Sequence, residues 1–255
     1  MSKVNAVILA GATAGPELCP EEENISRAMI SLGQKTMLQW VVDALRESPS
    51  IDRIIAVGTV SAEGLDEVVK PGESLVSNLD LGIRAAGTSE PVLVVSADIP
   101  MLTSEAVEDF ISRAAALGVD MAYPIISKPD CEKRHAELKR TYLKTGDGVF
   151  TGGNLMLIRP DFIARNWDAI ADAYAARKQV VKLARMIGIG VLARLAFAQV
   201  FPGALRVSML ENAVSRMLKG KVAAVVSCYP EIGEDVDKPS DLEAVRKIMT
   251  GSSMD

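Results

Sequence analysis

Short apolar runs alternate along this chain with stretches whose apolar positions recur at helical spacing. That is the pattern of a mostly parallel sheet with helices on both faces. The apolar runs over residues 4–10, 53–58, 92–97, 120–125, 154–158 and 221–227 predict strands. Residues 36–47 put Met37, Leu38, Val41, Val42 and Leu45 on one stripe, which predicts a helix. Further helices are expected near 77–86, over 104–117 behind the N-cap Thr103 and ending at Gly118, and from Pro160 onward. Helical pattern dominates from there to Phe201 and again over 208–218, and Ser240 to Glu243 opens a last helix. Residues 61–73 are mixed, 128–148 read as a polar, basic arm or loop, and the tail 250–255 reads as frayed. No repeat, low-complexity tract or linker divides the chain. The fold class expected is α/β: a three-layer αβα arrangement with a mostly parallel central sheet, one domain over 1–255 with a helical insertion at about 161–218.

Composition adds limits. The chain has 255 residues, 49% of them hydrophobic, enough for a sizeable core. Lys+Arg total 28 against Asp+Glu 33, and a net charge of -5 argues against a nucleic-acid partner, which usually needs a basic face. Three cysteines, Cys19, Cys131 and Cys228, stand far apart and fit reduced thiols in the cytoplasm better than a disulfide framework. No signal peptide is visible. Residues 186–201 are strongly apolar, yet Arg194, Gly188 and Gly190 interrupt them, and they fall short of the ~20 residues of a spanning helix. A buried or subunit-interface helix is expected there, and no membrane partner.

The candidate chemistry begins in the first stretch. An apolar strand runs into the small-residue loop Gly11-Ala12-Thr13-Ala14-Gly15, the usual way an α/β sheet presents backbone N–H groups to a phosphate. A tight packing turn is the simpler alternative. The G-x-G-x-x-G spacing of a dinucleotide site is absent. Asp98 follows a fully apolar strand, so its carboxylate belongs at the strand's C-terminal edge, where α/β folds bind ligands and where a divalent cation bridges phosphate oxygens. Asp235 and Asp237 lie two apart and face the same way in extended chain. With Glu231 and Glu234 beside them, the plainer reading is a solvated acidic loop. His135 is the only histidine and is expected at the surface. Lys133, Arg134, Lys139, Arg140 and Lys144 form a basic set suited to an anionic acceptor or to plain solvation. Glu21, Glu22 and Glu23 read as a solvated loop.

In this order the pieces resemble the MobA-like NTP transferases, nucleotidyltransferases of glycosyltransferase-A type fold. Leu9-Ala10-Gly11-Ala12 is similar to the start of their L-A-G-G-x-G-x-R loop, and residues 26–38 to the segment after it, with Arg27 where the family has lysine. Ser96-Ala97-Asp98-Ile99-Pro100-Met101 resembles the metal-site segment, Thr151-Gly152-Gly153-Asn154 the acceptor-side glycine turn, and residues 235–242 the D-I-D-T-P-E-D-L ending. Residues 74–82, with Asn78, are similar to the segment that contacts the base. The chain departs at Ala12, at the missing arginine after Gly15, and in about ten extra residues before Arg27.

The resemblance implies a fold like that of the nucleotide-diphospho-sugar transferases. It implies transfer of an NMP group from an NTP to a phosphorylated small-molecule acceptor, with pyrophosphate released and Mg2+ or Mn2+ as cofactor. Leu9, Ala10, Gly11, Ala12, Gly15, Arg27, Asn78 and Asp98 would hold the nucleotide. Asp98, Asp235 and Asp237 would hold the metal, and Arg27, Asp98 and Asp237 would carry catalysis. Arg140, Lys144, Gly152, Gly153 and Asn154 would take the acceptor. The helices over 161–218 would shape the acceptor pocket or a homodimer contact. Two other readings stay open: a nucleotide-sugar glycosyltransferase, from Asp235-Val236-Asp237 read as D-x-D, and a non-catalytic nucleotide-binding homologue, from the altered loop.

Overall fold

Ala6 and Ile8 pack toward one face of a sheet and Val7 toward the other, as the two-residue period of a strand requires. A computed structural model describes residues 3–18, 25–176, 186 and 188–251. Its strands are β1 (Val4–Leu9), β2 (Ser31–Leu32), β3 (Lys35–Thr36), β4 (Ile51–Val57), β5 (Glu67–Val69), β6 (Val92–Ser96), β7 (Met121–Ser127), β8 (Leu143–Thr145), β9 (Gly148–Gly152), β10 (Leu155–Ile158) and β11 (Val222–Ser227). Its helices are α1 (Met37–Glu47), α2 (Leu75–Ala86), α3 (Ser104–Leu117), α4 (Lys128–Arg134), α5 (Pro160–Ala176), α6 (Ile189–Ala198), α7 (Val207–Met217) and α8 (Pro239–Gly251).

Among the described residues, nine strands form one sheet in the order β5-β4-β1-β6-β10-β7-β9-β8, with β11 also paired to β7. β4, β1 and β6 pair in parallel, as do β7 and β11. β9 and β10 run antiparallel to β7, one after the other along its edge. The bend between them falls at Gly153 and Asn154, whose backbone N–H groups donate to Pro124 O (3.0 Å) and Ile232 O (2.8 Å). α1 and α3 cover one face, around Phe110; α2, α5 and α7 cover the other, around Phe162. A smaller cluster joins Leu18, Ile30, Leu32 and Met37 to Leu242 and Val245 of α8. The architecture is the expected mostly parallel αβα sandwich.

Local expectations fare unevenly. Thr36 and Thr103 cap α1 and α3, each accepting a backbone N–H with its hydroxyl, and Gly118 ends α3 in the left-handed region. The arm over 128–148 is not irregular: it contains α4 and β8 and leads directly into β9. His135 is not a surface residue. It is half-buried, with Nδ1 2.9 Å from each carboxylate oxygen of Glu234. Nor do Glu231 and Glu234 belong to a solvated loop, since each is only 2% exposed. Of the apolar stretch 186–201, α6 and the turn after it leave Ile189, Phe197, Val200 and Phe201 exposed, so it is not a buried helix. Glu21, Glu22, Glu23 and Cys19 lie outside the described residues.

Candidate functional site

β1 and β6 end side by side, and their backbones continue to pair beyond the strands, with Ala97 N donating to Leu9 O (3.3 Å). The segments leaving the two strand ends therefore converge on one crevice. From β1 comes the loop Ala10–Gly11–Ala12. Thr13 bridges back to Ser26, Arg27 N donates to Ala12 O (2.8 Å), and Ser26 Oγ donates to Ala10 O (2.8 Å). These bonds hold both ends of the excursion between positions 13 and 26, so the extra residues leave Arg27 seated beside the loop. At Gly11 a side chain does not fit: a Cβ there would lie 2.3 Å from Asn78 Nδ2. Asn78 is itself fixed, its Oδ1 accepting from Gly72 N (2.7 Å). Glycine is needed here for close approach.

The crevice opens into a cavity of about 600 Å3 lined by Leu9, Ala10, Gly11, Ala12, Arg27 and Asn78 on one side. Ser96, Asp98, Gly153 and Asn154 line the other. Gly15 is exposed, lies outside this lining, and accepts a turn hydrogen bond from Leu18 N.

Arg27 joins the two ends of the chain. Its guanidinium donates to Asp98 (3.0 Å) and makes a second, shorter contact with Asp237. Asp98 accepts from Ser96 Oγ, and Asp98 O accepts from Val236 N (2.9 Å), which seats residues 235–237 against the end of β6. Burial, then the Asp237 charge, then the Asp98 charge push the Asp235 carboxyl up to about 6. Three carboxylates are thus close enough to repel, and one guanidinium stands among them. No group of three His, Cys, Asp or Glu side chains arranged to hold a metal occurs among the described residues. The oxygen donors of Asp98 and Asp237 nevertheless suit Mg2+, which is commonly held by one or two carboxylates plus substrate phosphates rather than by a protein cage.

A second cavity of about 300 Å3 adjoins the first and shares Tyr123, Gly153 and Asn154 with it. Lys139, Arg140, Gly152, Asp235, Asp237 and Lys238 line it. Arg140 is committed elsewhere. Its guanidinium pairs with buried Glu234 (2.7 Å) and donates to Gly233 O, which braces the turn before Asp235. Lys144 lines neither cavity, and its Nζ donates to Gln199 O (3.2 Å). Lys139 and Lys238 are the cations this cavity offers beside Arg140.

The sequence reading overlooked Ser96, Tyr123, Lys238 and Glu234. Ser96 carried a signal, because residues two apart on an extended segment share a side. Tyr123 carried none, since strand pairing alone brings it to the cavities, whereas Lys238 lies within residues 235–242, which the bond from Val236 N to Asp98 O seats beside the crevice.

Residues 6–185 match the family model described as the MobA-like NTP transferase domain. A hypothetical transferase from Thermus thermophilus superposes with a TM-score of 0.83 at 30% identity, over 94% of this chain and 99% of that one. The 2-C-methyl-D-erythritol 4-phosphate cytidylyltransferase of Thermus thermophilus is 17% identical, TM-score 0.56, over 98% of this chain and 100% of that one. A CMP:2-keto-3-deoxy-manno-octonic acid synthetase complexed with CTP is 12% identical, TM-score 0.59, over 99% and 100%. At those identities the last two speak for the fold alone. No curated protein matches the sequence.

Proposed function

The chain belongs to the MobA-like NTP transferase family, and from that premise we propose that this nucleotidyltransferase moves an NMP group from an NTP to a phosphorylated small-molecule acceptor. The observation that carries the reading is the pair of adjoining cavities, with Arg27, Asp98 and Asp237 where they meet. An acceptor phosphate is already anionic, so attack on the α-phosphorus needs no general base. Catalysis then rests on positioning and charge stabilisation. The loop Ala10–Gly11–Ala12 and Arg27 hold the triphosphate, Asn78 stands at the base end, and Lys139 and Lys238 draw the acceptor's phosphate. Asp98 and Asp237 would hold Mg2+, with Asp235 beside them; the ion would neutralise charge on the phosphates and orient them. Arg27 meanwhile keeps the carboxylates compensated.

A non-catalytic nucleotide-binding role is the second reading. It is favoured by the same Arg27 bridge, which occupies the space between Asp98 and Asp237. Pyrophosphate release, measured with Mg2+ over the four ribonucleoside triphosphates against a set of phosphomonoesters, separates the two. Release that Asp98→Ala abolishes supports transfer. Nucleotide binding without release, under every combination, supports the second reading. Placement in the cytoplasm, a single domain over 1–255 and a homodimer built on the 161–218 helices complete the proposal.

A further inference from the structure

A third cavity, of about 300 Å3, lies between α7 and the strands β7, β9 and β11, and it has no established occupant. Met121, Ile125, Leu143, Phe150, Leu210 and Val214 form its wall. Two of its polar side chains are already paired. Glu211 accepts from Ala224 N (2.7 Å) at the free edge of β11, and Thr145 Oγ1 donates to Gly148 O (2.8 Å). The apolar wall residues are only half-buried, so they keep water on apolar surface that a ligand's hydrocarbon would displace.

This cavity adjoins the acceptor cavity, since Tyr123, Thr151 and Gly152 line both. Tyr123 is the partition. Its hydroxyl end packs against Gly152, where a Cβ would meet the hydroxyl at 2.5 Å and two ring carbons at 3.2 Å. Tyr123 lines the nucleotide cavity as well, so this one side chain, apolar in its ring and polar at its hydroxyl, stands where the two polar cavities and the apolar one meet. A ligand crossing this partition must be polar at one end and apolar at the other.

We propose that the acceptor is a phosphorylated amphiphile, its phosphate in the Lys139–Lys238 cavity and its hydrocarbon in the cavity under α7. This rests on the nucleotidyl-transfer reading above. An acceptor phosphate oxygen forms a bond to the α-phosphorus, the bond from that phosphorus to the bridging oxygen of the β-phosphate breaks, and pyrophosphate carries the electron pair away. The product is a nucleoside diphosphate ester of the apolar alcohol.

The test uses monomeric n-alkyl phosphates of two to ten carbons, with affinity read by calorimetry and turnover by pyrophosphate release. Affinity should rise roughly two- to fourfold per added methylene until the cavity is full. Two substitutions in the cavity lining, Ala223→Phe on β11 and separately Val214→Trp on α7, should flatten that dependence while NTP affinity reports an intact fold. An affinity independent of chain length, or a dependence that both filled variants retain, overturns the proposal. Pyrophosphate release with short polar phosphomonoesters but no chain-length dependence also overturns it and leaves nucleotidyl transfer standing. Chain-length dependence without pyrophosphate release on any NTP supports the cavity's occupant and removes the transfer step instead.

Discussion

At the scale of single residues, the site is a balance of charge around Arg27. Asp98 and Arg27 are only 15% and 21% exposed at their side chains, so their attraction is weakly screened, whereas Asp237 is more than half exposed. Removing the guanidinium leaves carboxylates facing one another. Arg27→Ala should cost roughly 1–3 kcal/mol, and millimolar Mg2+ should restore part of the lost melting temperature. No recovery with Mg2+ would show that these carboxylates do not hold the ion. Asp235 gives a pH signature. A carboxyl raised from 3.8 to about 6 in the folded state contributes stability that is full below 3.8 and is lost as pH climbs from there through 6. Asp235→Asn carries no charge at any pH. It should therefore raise stability at pH 8 by about 1–2 kcal/mol, allowing for solvent screening, and leave it nearly unchanged at about pH 3, below the unfolded value. Thermal scans at the two pH values decide it.

At the scale of elements, the turn from Pro230 to Gly233 and the end of α4 are locked by buried charge. Glu234 has no exposed side-chain surface and meets both Arg140 and His135. Breaking one partner of a buried pair is expensive, about 3–5 kcal/mol. Arg140→Ala should destabilise on that scale, while Lys144→Ala, an exposed contact to a carbonyl, should change stability by less than about 0.5 kcal/mol. Urea midpoints for the two variants test the contrast. This is also where sequence reading reached its limit. Buried strands such as Val92–Ser96 and capped helices such as α3 are written in local pattern, and so is the position of Asp98 just past a strand. Glu234 and His135 are not, because a charged residue in a polar stretch reads as solvated until a partner 99 positions away is brought against it. Arg140 and Lys144 looked alike along the chain for the same reason, and only the fold separates a braced guanidinium from an exposed amine. The ordered match to the family's segments placed the loop, Asp98 and the Asp235–Asp237 pair at one crevice, a convergence that no single segment predicts.

At the scale of the whole molecule, four exposed apolar side chains lie on α6 and the turn after it. Phe197 and Phe201 stack at 4.7 Å, and Ile189 and Val200 are each 73% exposed. An exposed apolar pair such as Phe197 and Phe201, on an element with further exposed apolar side chains, suits a contact site, which is the basis for the homodimer proposed above. Phe197→Ser combined with Phe201→Ser should convert a dimer to a monomer in sedimentation velocity, with catalysis per site retained if the nucleotide cavity is complete within one chain. A wild-type protein that sediments as a monomer at all concentrations removes this assembly.

The bend at Gly153 and Asn154 belongs to both polar cavities at once, and this has a kinetic consequence. One turn of backbone serves as the floor for two substrates, so each is bound where the other is sensed, and neither product forms until both are resident. The rate law should be sequential: double-reciprocal plots at several fixed acceptor concentrations should intersect, and no isotope exchange between pyrophosphate and NTP should occur while acceptor is absent. Parallel plots would mean that the nucleotidyl group rests on the protein between substrates, a role for which the Asp98 carboxylate, bound by Arg27 and Ser96, is poorly suited.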